Sequence, residues 1–199
     1  MSEVSQKPYP VSLTVDFQDG PRDRLTTAFR LILAVPMALL AMLIGGGEDS
    51  SGGLLILPTT AMVLFRKKYP RWWFDWNVNF MRLMLRITAY VALLRDEYPS
   101  TDEEQAVHLD IAYPDVETEL SRGMPLVKWL LAIPHLFVLS FLGIAVAVCV
   151  IATWFAILFT GEMPRSLADF IVGYMRWQVR VTAYAFLMTT DEYPPFSLD

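Results

Sequence analysis

The sequence predicts a mainly α-helical integral membrane protein. Its expected plan is a tandem parallel repeat of a short strand, a transmembrane helical hairpin and an interfacial amphipathic helix, with four transmembrane helices and a small cytoplasmic β element in all. Three observations carry this reading. The chain has 199 residues and is 54% hydrophobic. From residue 124 to 160 it carries one charge, Lys128. The second half restates the first about ninety-five residues on: Leu33-Ala34-Val35-Pro36 returns as Leu131-Ala132-Ile133-Pro134, Arg86-Ile87-Thr88-Ala89-Tyr90 as Arg180-Val181-Thr182-Ala183-Tyr184, and Asp96-Glu97-Tyr98-Pro99 as Asp191-Glu192-Tyr193-Pro194.

The repeat divides the chain into residues 1–99, an acidic linker 100–112 and residues 113–199. The first copy opens on a strand over 9–17, where Val11, Leu13, Val15 and Phe17 alternate with polar residues. Residues 113–120 are its weaker counterpart. Crossing a bilayer takes about 20 apolar residues, which assigns one span to 25–44. A second, shorter apolar run covers 52–66. At 1.5 Å per residue its twelve most apolar residues reach only about 18 Å, so it is tilted, extended through glycines or re-entrant. The run 124–160 is long enough for two spans, 124–141 and 143–160, turning at 140–143.

Charges are placed around these runs. Arg22, Arg24 and Arg30 flank the first; Arg66, Lys67, Lys68 and Arg71 follow the second; Arg122 and Lys128 stand before the third, and Arg165 after the fourth. The loop 45–53 holds only Glu48 and Asp49. The positive-inside rule then places both termini and the linker in the cytoplasm. Both copies would share one orientation, which disfavours an inverted-repeat transporter. The net charge is −5, and residues 96–119 hold nine acids without a lysine or arginine. That run reads as a solvated linker, and the acidic soluble parts argue against nucleic-acid binding.

Two amphipathic helices are expected at 71–95 and 165–189. Asp75, Asn79, Arg82, Arg86 and Tyr90 fall on one helical stripe, as do Asp169, Gly173, Arg176, Arg180 and Tyr184. Arginines and an aspartate are costly at the bilayer centre, so both helices are expected in the plane of the cytoplasmic leaflet. The residues Asp75, Arg82, Arg86, Tyr90, Asp169, Arg176, Arg180 and Tyr184 are the candidate lipid- or partner-binding groups. In the structural alternative the arginines reach lipid phosphate or the acids of the two Asp-Glu-Tyr-Pro segments. Pro36 and Pro134 predict kinks at matched depths, freeing the carbonyls of Ile32 and Leu130. His135, beside the second kink, is a possible intramembrane polar site. The single cysteine, Cys149, reads as a packing residue. No metal site is expected from two histidines and one cysteine, no cofactor is called for, and no nucleophile elbow, phosphate loop or dinucleotide fingerprint occurs.

These residues carry a family resemblance. Tyr9-Pro10-Val11 with its strand, the two Leu-Ala-(Val/Ile)-Pro motifs, Leu158-Phe159-Thr160-Gly161 with Pro164-Arg165, and the closing Asp191-Glu192-Tyr193-Pro194-Pro195 resemble a bacterial membrane family catalogued as domain of unknown function 4389. The likeness extends over nearly the whole chain and is more specific in the second copy. In the first, Arg66-Lys67-Lys68 replaces Thr-Gly-Glu and an acidic glycine loop is inserted. The resemblance implies a multi-pass protein of the bacterial inner membrane and brings no activity or catalytic residues. The leading expectation is a non-enzymatic scaffold or accessory subunit that contacts membrane lipids and a protein partner, or forms a homo-oligomer. The alternative is a small oligomeric transporter or channel with His135 and the kinked helices along its path.

Overall fold

Strand β1 (Val11–Val15) is followed by α1 (Arg24–Ala28), α2 (Arg30–Gly45), α3 (Gly53–Arg66) and α4 (Arg71–Val91), then by β2 (Val107–Ile111), α5 (Met124–Leu131), α6 (Ile133–Thr160) and α7 (Arg165–Thr182). A π-helical turn, Ala183–Leu187, ends α7. This computed structural model describes residues 9–45 and 53–199. The acidic turn expected within 45–53 falls almost entirely outside them. Among the described residues the protein is mainly helical with one antiparallel two-stranded sheet.

β1 pairs with β2 so that Val11 faces Ile111, Leu13 faces Leu109 and Val15 faces Val107. In β2, Val107, Leu109 and Ile111 are buried while His108 and Asp110 are exposed, the period-two pattern of a half-buried strand. The second strand thus lies within 100–112, expected as an acidic linker, and not at 113–120, where the weaker counterpart of β1 was expected. The count of acids concealed the alternation, because Asp110 falls on the solvent face. Residues 113–120 turn instead. The Asp115 carboxylate accepts from the Glu117 backbone N–H at 3.1 Å and the Thr118 hydroxyl at 2.8 Å, local bonds that compete with a sheet ladder.

The expected turn at 140–143 is also corrected, since α6 runs unbroken for 28 residues. The Ser140 hydroxyl donates back to the Phe137 carbonyl at 2.7 Å within the helix. Gly143 serves close packing: a Cβ there would lie 3.2 Å from the Tyr174 hydroxyl. A lone glycine in apolar sequence costs a helix about 1 kcal/mol, too little to end it. The third and fourth expected spans are therefore one rod. Among the described residues, the 37-residue stretch Met124–Thr160 is the one helix long and apolar enough to cross a membrane. α2 and α3, with 16 and 14 residues, reach about 24 and 21 Å.

The prolines do not act alike. α2 continues through Pro36, and its break from α1 lies at Phe29. In the second half the break lies at Ala132, and Pro134 occupies the first turn of α6, where its missing N–H costs nothing.

α4 and α7 are amphipathic, but their apolar faces are largely inside the protein, unlike those of helices lying free on a leaflet. α7 buries Ala168, Ile171, Val172, Met175, Val179 and Val181 among others and packs on α6 and β1. α4 buries Phe74, Val78, Leu83, Leu85 and Ile87 and packs on α2 and β2. The packing is crosswise: the helix from the first half covers the strand before the second hairpin region, and α7 covers β1.

Candidate functional site

The stripe residues turn toward the chain's own carbonyls. The Arg82 guanidinium donates to the Leu109 carbonyl through Nε at 3.2 Å and Nη2 at 3.1 Å, and to Asn79 Oδ1 at 2.9 Å. Arg176 Nε donates to the Leu13 carbonyl at 3.0 Å. Leu13 and Leu109 face each other at the centre of the sheet, so each helix holds the central residue of the opposite half's strand. Arg86 Nη1 donates to the Ser100 carbonyl at 2.7 Å, and Arg180 Nη1 to the Ser197 carbonyl at 3.3 Å. Burial holds the Arg180 guanidinium below its ordinary value, with Arg176 adding to the effect. Asp75 is exposed and pairs with Arg71 at 3.4 Å. Asp169 is exposed at the mouth of a cavity of about 150 Å³ between β1 and α7. The structure therefore ties the stripe arginines to backbone carbonyls, a use the sequence reading did not offer: its structural alternative had them on lipid phosphate or on the acids of the Asp-Glu-Tyr-Pro segments.

The acids of the two Asp-Glu-Tyr-Pro segments have other cations. Arg30 Nη2 is ion-paired with Asp96 Oδ1, and Lys128 Nζ with Asp191 Oδ1 at 2.7 Å. Both cations are buried, Lys128 completely. Each also donates to the carbonyl just before its aspartate: Arg30 Nη1 to Arg95 at 2.8 Å and Lys128 Nζ to Thr190 at 2.6 Å. Each faces a stripe tyrosine, with the Arg30 guanidinium 4.3 Å from the Tyr90 ring and the Lys128 ammonium 5.3 Å from the Tyr184 ring. The second carboxylate oxygen accepts a backbone N–H in both places, from Asp23 at 3.3 Å and from Ser121 at 2.7 Å. Tyr90 and Tyr98 meet edge to face at 5.6 Å, as Tyr184 and Tyr193 do at 5.7 Å. Two left-handed residues, Leu93 (φ 65°) and Met188 (φ 55°), turn the chain toward the two aspartates.

Burial raises both tyrosines above the ordinary phenol value. Beside Tyr90 the Arg30 charge opposes this, and beside Tyr184 the Asp191 charge adds to it. The stripe thus reached Tyr90 and Tyr184 from sequence but not the ion pairs they cover. The missed signal was positional: Arg30 and Lys128 each stand six residues before the repeated proline. In each cluster both carboxylate oxygens are engaged and the cation holds a carboxylate and a carbonyl, while the buried Arg30 Nε has no hydrogen-bond partner among the described residues. Each cluster works as a bolt joining α2 or α5 to the segment after the amphipathic helix.

His135 is buried on α6. Its Nδ1 accepts from Trp177 Nε1 at 2.9 Å, and its ring stacks on Phe196 at 3.8 Å with Tyr193 at 4.8 Å. Among the described residues no group of three His, Cys, Asp or Glu could hold a metal ion.

Residues 124–197 match the family model described as domain of unknown function DUF4389. That stretch contains Lys128, Tyr184 and Asp191 of the second cluster but not Ser121, together with His135, its aromatic neighbours and nearly all of the tail. Neither the curated proteins nor the solved structures gave a match. Just past the matched stretch the tail straps α7 at Gly173, where a Cβ would meet the Leu198 carbonyl oxygen at 2.8 Å. That clash is with backbone, so Gly173→Ala is expected to lift the tail and cost about 1–3 kcal/mol. Denaturant unfolding in a fixed detergent, with tail release read by limited proteolysis, checks it.

Proposed function

We propose that this chain is a non-enzymatic integral protein of the bacterial inner membrane, a scaffold or accessory subunit built from two like halves. The observation that carries the membrane reading is the surface of α5 and α6. From residue 129 to 160 no side chain is formally charged, and only 11% of the most apolar 18-residue window is buried in the protein. Phe137, Phe141, Ile144, Val148, Ile151, Phe155 and Phe159 are all exposed and follow one another at helical spacing. α2 likewise exposes Leu31, Ile32, Val35, Leu39 and Leu43. A stripe of that extent is unfavourable in water and suits hydrocarbon. Polar ties hold both ends of the rod: Lys128 pairs with Asp191 at its start, and Arg24 Nη2 donates to the Phe159 carbonyl at 3.4 Å near its end.

With 124–160 as one crossing, termini on a common cytoplasmic side require that α2 and α3 together cross once and do not form a hairpin. Bases flank both ends of the rod, Arg122 and Lys128 before it and Arg165 after it, so the positive-inside rule alone does not orient it. The scaffold reading is supported by the inward use of the polar groups: the two ion-pair bolts and the arginine-to-strand ties spend the conspicuous charges on rigidity. The transport alternative gains no support from His135, which is enclosed by Trp177, Tyr193 and Phe196. Membrane fractionation with alkaline carbonate tests the membrane reading: the full chain stays in the pellet. Native mass spectrometry after mild-detergent extraction tests the scaffold reading. A co-purifying protein partner or homo-oligomer supports it, and a bare monomer overturns it.

A further inference from the structure

The turn between α3 and α4 has a chemistry its counterpart lacks. Arg66, Lys67, Lys68 and Arg71 follow one another where the second half has Thr160, Gly161, Glu162 and Arg165. Position 67 is a left-handed helix terminus (φ 47°), as is Gly161 (φ 81°). Glycine adopts that geometry freely, whereas a residue with a Cβ is strained there. The first half therefore keeps a lysine where glycine would fold better. Lys67 Nζ donates to the Glu117 carbonyl at 3.1 Å, and Arg71 lies over the Tyr113 ring at 4.7 Å while sharing Asp75. Arg66 and Lys68 are exposed, and among the described residues neither has an ion-pair partner.

Beside these bases, Phe65, Trp72 and Trp76 are exposed, Trp72 by 69%. Trp76 stacks between Trp73 and Phe80 at 5.4 and 5.6 Å, forming a flat aromatic ladder along the start of α4. Exposed tryptophan next to unpaired basic charge at the end of an apolar helix fits the headgroup zone of a bilayer, where the ring sits among glycerol groups and the base meets phosphate. Asp115 and Glu117 line one cavity with Lys67, Lys68 and Arg71, whereas Arg66, Trp72 and Trp76 lie outside its lining.

We infer that the 66–71 turn, together with Trp72 and Trp76, binds the phosphate headgroup of an anionic phospholipid. This rests on the membrane reading above. It moves the lipid contact away from Arg82, Arg86, Arg176 and Arg180, which are held by backbone.

The test uses the purified full chain in a neutral detergent, titrated with short-chain phosphatidylglycerol, with phosphatidylcholine of the same chains, and with inorganic phosphate, bound molecules being counted by native mass spectrometry. Phosphatidylglycerol is expected to bind at least about fivefold more tightly than phosphatidylcholine, and each charge removed in Arg66→Gln and Lys68→Gln to weaken it by roughly fivefold. Lys67→Gly is the discriminating variant. It raises the unfolding midpoint by relieving the left-handed lysine and at the same time weakens phosphatidylglycerol. Equal binding of the two lipids, undiminished binding by the Arg66→Gln/Lys68→Gln variant, or saturation by inorganic phosphate alone overturns the proposal. Variants that stay in the carbonate pellet but show such binding overturn the lipid site and leave the membrane reading standing. Release of the native chain from the pellet overturns both.

Discussion

Asp191→Ala is expected to destabilise the protein by about 3–5 kcal/mol, because it leaves the fully buried Lys128 ammonium with one carbonyl and an aromatic face in place of its carboxylate. The loss exceeds that of a surface ion pair, for which about 0–1 kcal/mol is typical, since the Lys128 ammonium is fully buried in the native chain. It also frees the Ser121 N–H, which donates to the same carboxylate at 2.7 Å. Two further variants separate charge from packing. Asp191→Asn keeps an oxygen acceptor for Ser121 but not the charge, and falls between the native chain and Asp191→Ala. Lys128→Met with Asp191→Leu removes both ions and restores much of the stability, as apolar replacement of buried pairs often does. Asp96→Ala in the first half is expected to act in the same direction, with Arg30 retaining its bond to the Arg95 carbonyl and its place over Tyr90. Chemical denaturation of each variant in one detergent measures these differences. An Asp191→Ala chain as stable as the native one would remove the bolt from the account of the fold.

The elements whose pattern is local were legible in the sequence. β1, α4 and α7 announce themselves through period-two or period-3.6 burial, and their extents differ from expectation only at the ends. α7 gives way to a π turn at Ala183, which no side-chain period encodes. β2 was missed because its solvent-facing residues, His108 and Asp110, sit inside an acidic run, and composition outweighed alternation. The unbroken α6 was missed for a different reason: an apolar run of 37 residues has no internal polar mark, so length alone suggested two helices. The candidate site was half legible. Helical spacing gathered Arg82, Arg86 and Tyr90, and likewise Arg176, Arg180 and Tyr184, onto common faces. It could not tell whether those faces meet lipid or backbone, because that depends on a strand arriving from the other half. The pairing of Lys128 with Asp191 spans 63 residues of sequence and is fixed by tertiary packing.

The same limitation bears on the membrane. Ile144→Arg with Val148→Arg is expected to abolish stable insertion of α6. The two positions are 64% and 61% exposed on one face of the helix, near the middle of its uncharged length. Each arginine at the centre of a spanning helix costs about 2.5–3.5 kcal/mol on insertion scales, so the pair costs about 5–7 kcal/mol on the same scale. Neither can reach an interface easily, since positions 144 and 148 lie more than about 15 Å from either end of α6 at 1.5 Å per residue. In membrane fractionation the variant leaves the carbonate pellet or is degraded, while Glu104→Arg, on the exposed segment before β2, stays with the membrane. The opposite outcome is equally informative. If the stripe faced water, the two arginines would raise solubility and leave unfolding unchanged, because neither position is buried in the protein. The sign of the effect, rather than its size, therefore decides whether the exposed face of α6 meets lipid.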